Sequence, residues 1–296
     1  MKKAILFPGQ GSQHVGMAQE LYQNSKRARE LMDHANQLLG DELLDIMFQG
    51  PQEVLKQTKW TQPAIFVHSY ALWETHQPKA DVLAGHSLGE ITALAASGVI
   101  DFENALHIVV TRANGMQQAG ENSEGTMSAV VGLTDEQVLA LCEKATSETN
   151  ETVIAANFNS PGQVVISGAP LAVEKASILA KEMGCRLVKP LEVSGAFHSP
   201  LMLAARGPLE KAIKEANFAD AKIPVYCNVT AEPETNAEKL ASNLIEQLTS
   251  SVRWTQTLQQ MNADGIESFL EVGPGKALQG LCKRTLEGVE YSGIES

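Results

Sequence analysis

No apolar run in this 296-residue chain approaches the ~18 consecutive residues that a membrane-spanning helix requires, so a membrane is not expected among its partners. Cysteine is scarce: Cys142, Cys185, Cys227 and Cys282 are the only four. None is spaced as C-x-x-C and no histidine cluster accompanies them, which argues against a bound metal and for reduced, mostly buried thiols. Excess positive charge is also missing. Lys and Arg number 23 against 35 Asp and Glu, for a formal charge of -12, and nucleic acid is therefore not an expected partner. Repeats, low-complexity stretches and long linkers are absent as well. The apolar run near the amino terminus breaks at Pro8-Gly9, too short for the core of a signal peptide. It reads as a first strand, and the expected location is the cytoplasm. What is there is a composition 44% hydrophobic and 20% charged, that of a globular protein with an ample core.

The chain alternates strand and helix at first. A strand at about Ala4–Phe7 is followed by several helices to about His76, a strand at Val82–Ala84, and helices at about Leu88–Ser97 and Phe102–Ala119. That alternation predicts a parallel α/β sheet. From Gly125 the texture changes to strand (Met127–Val131), helix (Asp135–Ala145), strand (Thr152–Asn157), turn (Asn159–Gly162), strand (Gln163–Ser167), helix (Leu171–Met183) and strand (Arg186–Lys189). This βαββαβ order is that of a ferredoxin-like unit, and Asn-Ser-Pro-Gly between two β-rich runs is a hairpin signal. The first pattern then resumes, with a helix over Pro200–Ala216, a strand at Ile223–Cys227 and helices near Ala237–Leu248 and Trp254–Asn262. A last strand, Ser268–Val272, runs into Gly273-Pro274-Gly275. The expected fold is α/β: a large discontinuous domain of residues 1–123 and 193–296, interrupted by a ferredoxin-like subdomain at 124–192.

Within this frame Gly85-His86-Ser87-Leu88-Gly89 carries the most chemistry. Strand, G-x-S-x-G, helix is the context of a nucleophile elbow and makes the large domain hydrolase-like. Two glycines allow a sharp turn that lifts Ser87 Oγ above the sheet edge, with the next helix aiming its positive end at a developing oxyanion. The competing reading is a serine that simply caps that helix.

A serine hydroxyl needs a base, and there are seven histidines. His34, His68 and His107 fall inside helical patterns, and His76 ends one. His86 adjoins Ser87 and reads as structural, while His14 is a weak candidate in the first Gly-rich loop. His198 stands in Ser194-Gly195-Ala196-Phe197-His198-Ser199-Pro200, a loop beside the main domain, where catalytic side chains concentrate. The loop Phe7-Pro8-Gly9-Gln10-Gly11-Ser12-Gln13 should open on the same sheet edge as the elbow. It lacks both a full G-x-G-x-x-G and a Walker lysine, which disfavours nucleotide binding. Arg112 shares a helix side with Val109, Ala113 and Met116. A guanidinium among apolar neighbours either sits in an internal salt bridge or captures a substrate carboxylate.

Phe7-Pro8-Gly9-Gln10-Gly11-Ser12, Gly85-His86-Ser87-Leu88-Gly89-Glu90, Arg112, Gly195-Ala196-Phe197-His198-Ser199-Pro200 and Glu271-Val272-Gly273-Pro274-Gly275 occur together and in this order. In this the chain resembles, from end to end, the malonyl-CoA:acyl carrier protein transacylases. The resemblance implies a ping-pong transfer of malonyl from malonyl-CoA to the phosphopantetheine thiol of holo acyl carrier protein, with no cofactor bound by the enzyme. It implies Ser87 as nucleophile, His198 as base, the Gln10 and Leu88 N–H groups as oxyanion hole, and Arg112 as holder of the malonyl carboxylate. The base would be steadied by the Gln247 backbone carbonyl in place of an aspartate. Phe197, with Met116, is assigned to the specificity pocket, because in related polyketide acyltransferases a Phe before the base goes with malonyl. Ser251 stands where the family usually has a Pro before Val-x-Trp, which should leave the Gln247 loop less rigid.

A monomer acting in fatty-acid synthesis is expected. A polyketide-pathway acyltransferase, a serine esterase and a non-catalytic carrier-binding module are the alternatives. Acyl carrier proteins are acidic like this chain, so docking calls for a local basic patch; Lys189, Lys276, Lys283 and Arg284 are the candidates.

Overall fold

The computed structural model describes residues 1–296. It begins with β1 (Lys2–Phe7), then α1 (Gln19–Asn24), α2 (Lys26–Leu38), α3 (Leu43–Gln49), α4 (Gln52–Leu55) and α5 (Thr58–His76). β2 (Val82–Gly85) leads through the G-x-S-x-G turn into α6 (Leu88–Ala96) and on to α7 (Phe102–Asn122). The middle third holds β3 (Thr126–Val131), α8 (Asp135–Thr149), β4 (Val153–Ser160), β5 (Gln163–Gly168), α9 (Pro170–Glu182) and β6 (Leu187–Pro190). A 3-10 turn (Pro200–Ala205), α10 (Arg206–Glu215), β7 (Val225–Tyr226), β8 (Pro233–Glu234), α11 (Ala237–Gln247), α12 (Trp254–Ala263), β9 (Ile266–Val272), α13 (Ala277–Thr285) and β10 (Glu290–Ile294) complete it.

Two sheets organise these elements. The larger has six strands in the order β10-β9-β1-β2-β7-β8, parallel except for the β7–β8 pair. Its four inner strands, β9, β1, β2 and β7, are largely buried on both faces, and the alternation of side chains sorts them. Ile5, Phe7, Leu83 and Val225 join the core made with α2, α5, α6 and α7. Ala4, Leu6, Ala84 and Tyr226 join the other, with Trp254, Leu258 and Leu281 from α12 and α13. The α/β class with a parallel sheet is as expected.

The second sheet is antiparallel, ordered β4-β5-β3-β6. With α8 and α9 on one side it has the ferredoxin-like arrangement. α8 opens with a full capping box, Thr134 and Gln137 each satisfying the other's backbone N–H. The two parts of the molecule meet where the segment before α12 runs beside β4. Val252 N–H donates to Ala156 O at 2.8 Å, Phe158 N–H donates to Val252 O at 2.9 Å, and Ser251 Oγ–H donates to Ala155 O at 2.6 Å. Ser251 therefore anchors the loop that its lack of a proline ring was expected to loosen.

Several boundaries differ from the sequence reading. The last strand is β10, not β9; its Glu290, Tyr291, Ser292 and Gly293 are exposed on a sheet edge, so no apolar alternation announces it. The strand expected over Ile223–Cys227 keeps only two residues, because Asn228 is drawn away by side-chain bonding beneath the elbow. The helix expected over Pro200–Ala216 is a 3-10 turn followed by α10. The hairpin turns at Pro161-Gly162 alone, Gly162 taking φ +71°, while Asn159 and Ser160 remain in β4.

Candidate active site

β2 ends at Gly85 beside Phe7, and both strands deliver their following loops to one edge of the sheet. Packing is tight enough that Gly85 and Gly89 have no space for side chains. A Cβ on Gly85 would strike the Gly89 backbone, and one on Gly89 would strike the Phe7 carbonyl. Ser87 itself sits at φ 53°, ψ -105° and its side chain makes no capping bond to α6. The capping reading is thus not realised. A non-glycine residue in that region is strained, and such strain gathers at functional sites. His198 also has a positive φ, 57°.

The two strained residues meet. Ser87 Oγ lies 2.7 Å from His198 Nε2, and His198 Nδ1 lies 2.9 Å from the Gln247 carbonyl. A carbonyl only accepts, so Nδ1 carries the proton and Nε2 is left to accept from the serine. Burial, and then the Arg112 guanidinium, push the imidazole down to about 3; it is neutral across the physiological range. No backbone carbonyl accepts from the N–H of Gln10 or of Leu88, and both residues line the cavity that holds Ser87 and His198.

Arg112, 1% exposed, reaches this point from α7. Its Nη2 donates to Ser87 Oγ at 3.0 Å and to Gln247 Oε1 at 3.0 Å, and its Nη1 donates to Gln62 Oε1 at 2.8 Å. These acceptors are uncharged, so the guanidinium is held by hydrogen bonds and not by a direct ion pair. Burial lowers its pKa to about 10, which leaves it cationic.

Around them is a cavity of about 150 Å³, with Met116, Met127, Val165, Leu191, Val193 and Phe197 supplying apolar walls and Asn157 and Asn159 polar ones. His86 bonds to Asn159 Oδ1 at 2.8 Å and packs edge-on against Trp254. His14 lies apart, 3.8 Å from Glu295. A second cleft of about 370 Å³ shares Gln10, His86 and Asn159 with the first and adds Lys276 and Arg284. Lys189 and Lys283 line neither. Gly273 of the Gly-Pro-Gly turn packs against Pro8 and Ser69, buttressing the Gln10 loop.

Residues 5–294 match the family described as acyl transferase domain. The chain is 42% identical over 286 residues to the malonyl CoA-acyl carrier protein transacylase of Bacillus subtilis, an alignment covering 96% of this chain and 90% of that one. The chain belongs to the acyl transferase family and, within it, to the malonyl CoA-acyl carrier protein transacylases. Solved structures agree. An acyl carrier protein S-malonyltransferase from Vibrio cholerae superposes with a TM-score of 0.96 at 43% identity, covering 100% of this chain and 97% of that one. A malonyl-transacylase solved in complex with its type II PKS acyl-carrier protein also gives 0.96, at 36% identity, covering 100% and 96%.

Three buried transacylase residues escaped the reading of the sequence. Gln62 holds Arg112 and donates through Nε2 to Met116 Sδ at 3.4 Å; a glutamine before Pro63 inside an apolar helix was its one signal. Asn228 accepts the Ser87 N–H at 2.7 Å and donates to Gly85 O at 2.8 Å, with nothing in its neighbourhood to mark it. Glu90 was visible only as the end of the elbow motif.

Proposed function

We propose that this protein moves a malonyl group from malonyl-CoA to the phosphopantetheine thiol of acyl carrier protein through a malonyl-serine, as a cytoplasmic monomer supplying fatty-acid elongation. The observation that carries the reading is the continuous chain Ser87 Oγ, His198 Nε2, His198 Nδ1, Gln247 O with a cationic Arg112 nitrogen 3.0 Å from the same Oγ. Ser87 Oγ attacks the thioester carbonyl while its proton passes to His198 Nε2. The oxyanion is held between the Gln10 and Leu88 N–H groups and the positive end of α6. As the carbonyl re-forms, the C–S bond breaks and the CoA sulfur takes the proton from His198. The carrier thiol then attacks the malonyl-serine by the same steps in reverse.

Arg112 selects a substrate that ends in a carboxylate, since a buried cation without an anion is costly and a charge-assisted pair is strong. Phe197 crowds the carbon between the two carbonyl groups. A methyl branch there is disfavoured by about 1–3 kcal/mol. The chamber's small volume and apolar walls disfavour a hydrolytic water beside the acyl-serine, which favours transfer over an esterase. A polyketide carrier protein is the second reading, favoured by the likeness to the malonyl-transacylase solved with such a carrier. Lys276 and Arg284, at the mouth of the adjoining cleft, are the cations proposed to receive the acidic carrier.

The test is intact mass after brief exposure to malonyl-CoA and again after holo acyl carrier protein. A single malonyl adduct that discharges only onto the carrier is expected. Absence of an adduct, or its loss to water alone, rejects the proposal. Relative discharge rates onto fatty-acid and polyketide carriers separate the two pathways.

A further inference from the structure

Beneath the elbow lies a carboxylate to which the chemistry above assigns no task. Glu90, on the first turn of α6, is 1% exposed. Its Oε2 accepts from the Asn228 N–H at 2.7 Å and from Gln247 Nε2 at 3.1 Å. The same Gln247 amide accepts from Arg112 Nη2 at 3.0 Å through its oxygen. One side-chain amide therefore bridges a buried cation to a buried acid, its donor end on the carboxylate and its acceptor end on the guanidinium. Gln247 Nε2 also donates to Ser87 O at 2.9 Å, so the bridge is tied to the elbow itself.

We propose that Glu90 is the resident counter-ion of Arg112, coupled to it through Gln247, and that its charge sets how strongly the guanidinium takes a substrate carboxylate. The inference rests on the malonyl reading of the site. Without substrate, and with Glu90 ionised, the buried charges of Arg112 and Glu90 sum to zero. A malonyl carboxylate arriving at Arg112 adds a second anion to one cation in a region of low dielectric, and like charges there oppose each other. Substrate is then held most tightly when Glu90 is protonated and less tightly when it is ionised.

The titratable groups facing Glu90 are few. Arg112 on α7 stays cationic, the Cys227 thiol after β7 is held protonated by burial and by Glu90, and His198 stays neutral. Burial raises the Glu90 carboxyl to about 7, against the bonds from Asn228 and Gln247 and the attraction of Arg112, so the change of charge falls within reach of ordinary buffers. Glu90 touches no reacting atom; it is a positioning residue.

The experiment measures binding of malonyl-CoA and acetyl-CoA to the Ser87→Ala protein, which binds without acylation, from about pH 6 to about pH 8.5, spanning the raised carboxyl. The ratio of the two dissociation constants cancels everything the nucleotide contributes. Malonyl-CoA should lose on the order of tenfold in affinity relative to acetyl-CoA across that range, the effect of one unit of charge coupling. Adding Glu90→Gln, which keeps an acceptor for Asn228 and Gln247, should remove the slope and hold malonyl-CoA at its tight, low-pH affinity. In the otherwise native enzyme Glu90→Gln should lower KM for malonyl-CoA at high pH with little change in kcat. A ratio that is flat with pH overturns the proposal, and does so even if Glu90→Gln fails to fold. Equal weakening of both ligands by Glu90→Gln also overturns it, showing a structural part only. Failure of the malonyl reading is distinct: the unmodified enzyme then forms no malonyl adduct at any pH.

Discussion

The two sheets bury their residues in opposite ways. The small antiparallel sheet closes over a core of 16 residues, Val130, Leu141, Ile166 and Leu179 among them, with no ionisable side chain other than Cys142. The large parallel sheet holds apolar layers on both faces and then, at one edge, a cluster of polar groups that includes Glu90, Arg112, His198, Asn228 and Gln247, all at most 3% exposed. Most of their polar atoms are paired, because an unpaired polar group in that position costs more than it would on the surface; Arg112 Nε is the exception, buried without a partner. The small sheet supplies a wall, through Met127, Asn157, Asn159 and Val165. The large one supplies the charge, the strain and the hydrogen-bond chain. The chemistry is thus confined to one edge of the large sheet, while apolar packing is shared by both sheets.

Substitutions can break that division in order of size. Ser87→Ala should abolish the malonyl adduct and cut transfer by at least about 1,000-fold while leaving the thermal midpoint within a few degrees. A large stability loss would show that the elbow serine holds the fold. Acid should act next, and on one region. His68 and His198 are buried and His86 is half-buried; desolvation pushes all three down, His68 to about 4 and His198 to about 3, and all three belong to the large-sheet side. An unfolded histidine titrates near 6.5, so the unfolded chain binds more protons than the fold below that pH. Their contribution is fully present above about pH 6.5 and is lost as pH falls towards the folded values. Hydrogen exchange on acidification should therefore open α5 and the elbow before β3–β6; the reverse order would contradict the assignment.

Smaller effects sharpen the same contrast. Ile166→Ala, in the small core, should cost about 3 kcal/mol of stability with the acylation rate of the folded fraction unchanged, as measured by denaturant unfolding beside the mass assay. Arg112→Ala should reverse that pattern at the other sheet, lowering malonyl transfer by about 100-fold and shifting relative acceptance towards acetyl-CoA. If malonyl transfer stays intact, Arg112 is only structural. The smallest expected change is Thr134→Ala, which removes half of the capping box on α8 and should cost about 1 kcal/mol without touching activity.

The legible parts of the site were those with local signatures. Ser87 stood in a strand–turn–helix context, His198 in a loop beside the main sheet, and Arg112 was conspicuous as a charge among Val109, Ala113 and Met116. Gln62 and Asn228 carried no comparable mark, because an amide that bonds a partner 50 or 141 positions away looks like any other amide along the chain. β10 was missed for the related reason that an edge strand needs no apolar face to be paired.

The sequence by itself determined the alternation of elements, the switch to βαββαβ, the sharp turn at Ser87 and the excess of acid, since each depends on neighbours in the chain: periodicity, glycine at a turn, charge counted along the polymer. Only the tertiary structure decided that His198 meets Ser87 at 2.7 Å, that Arg112 is held by amides instead of a carboxylate, and that Gln247 bridges it to Glu90. Those contacts join residues of distant segments, and their strength comes from burial, a property that no segment has until the others have packed against it.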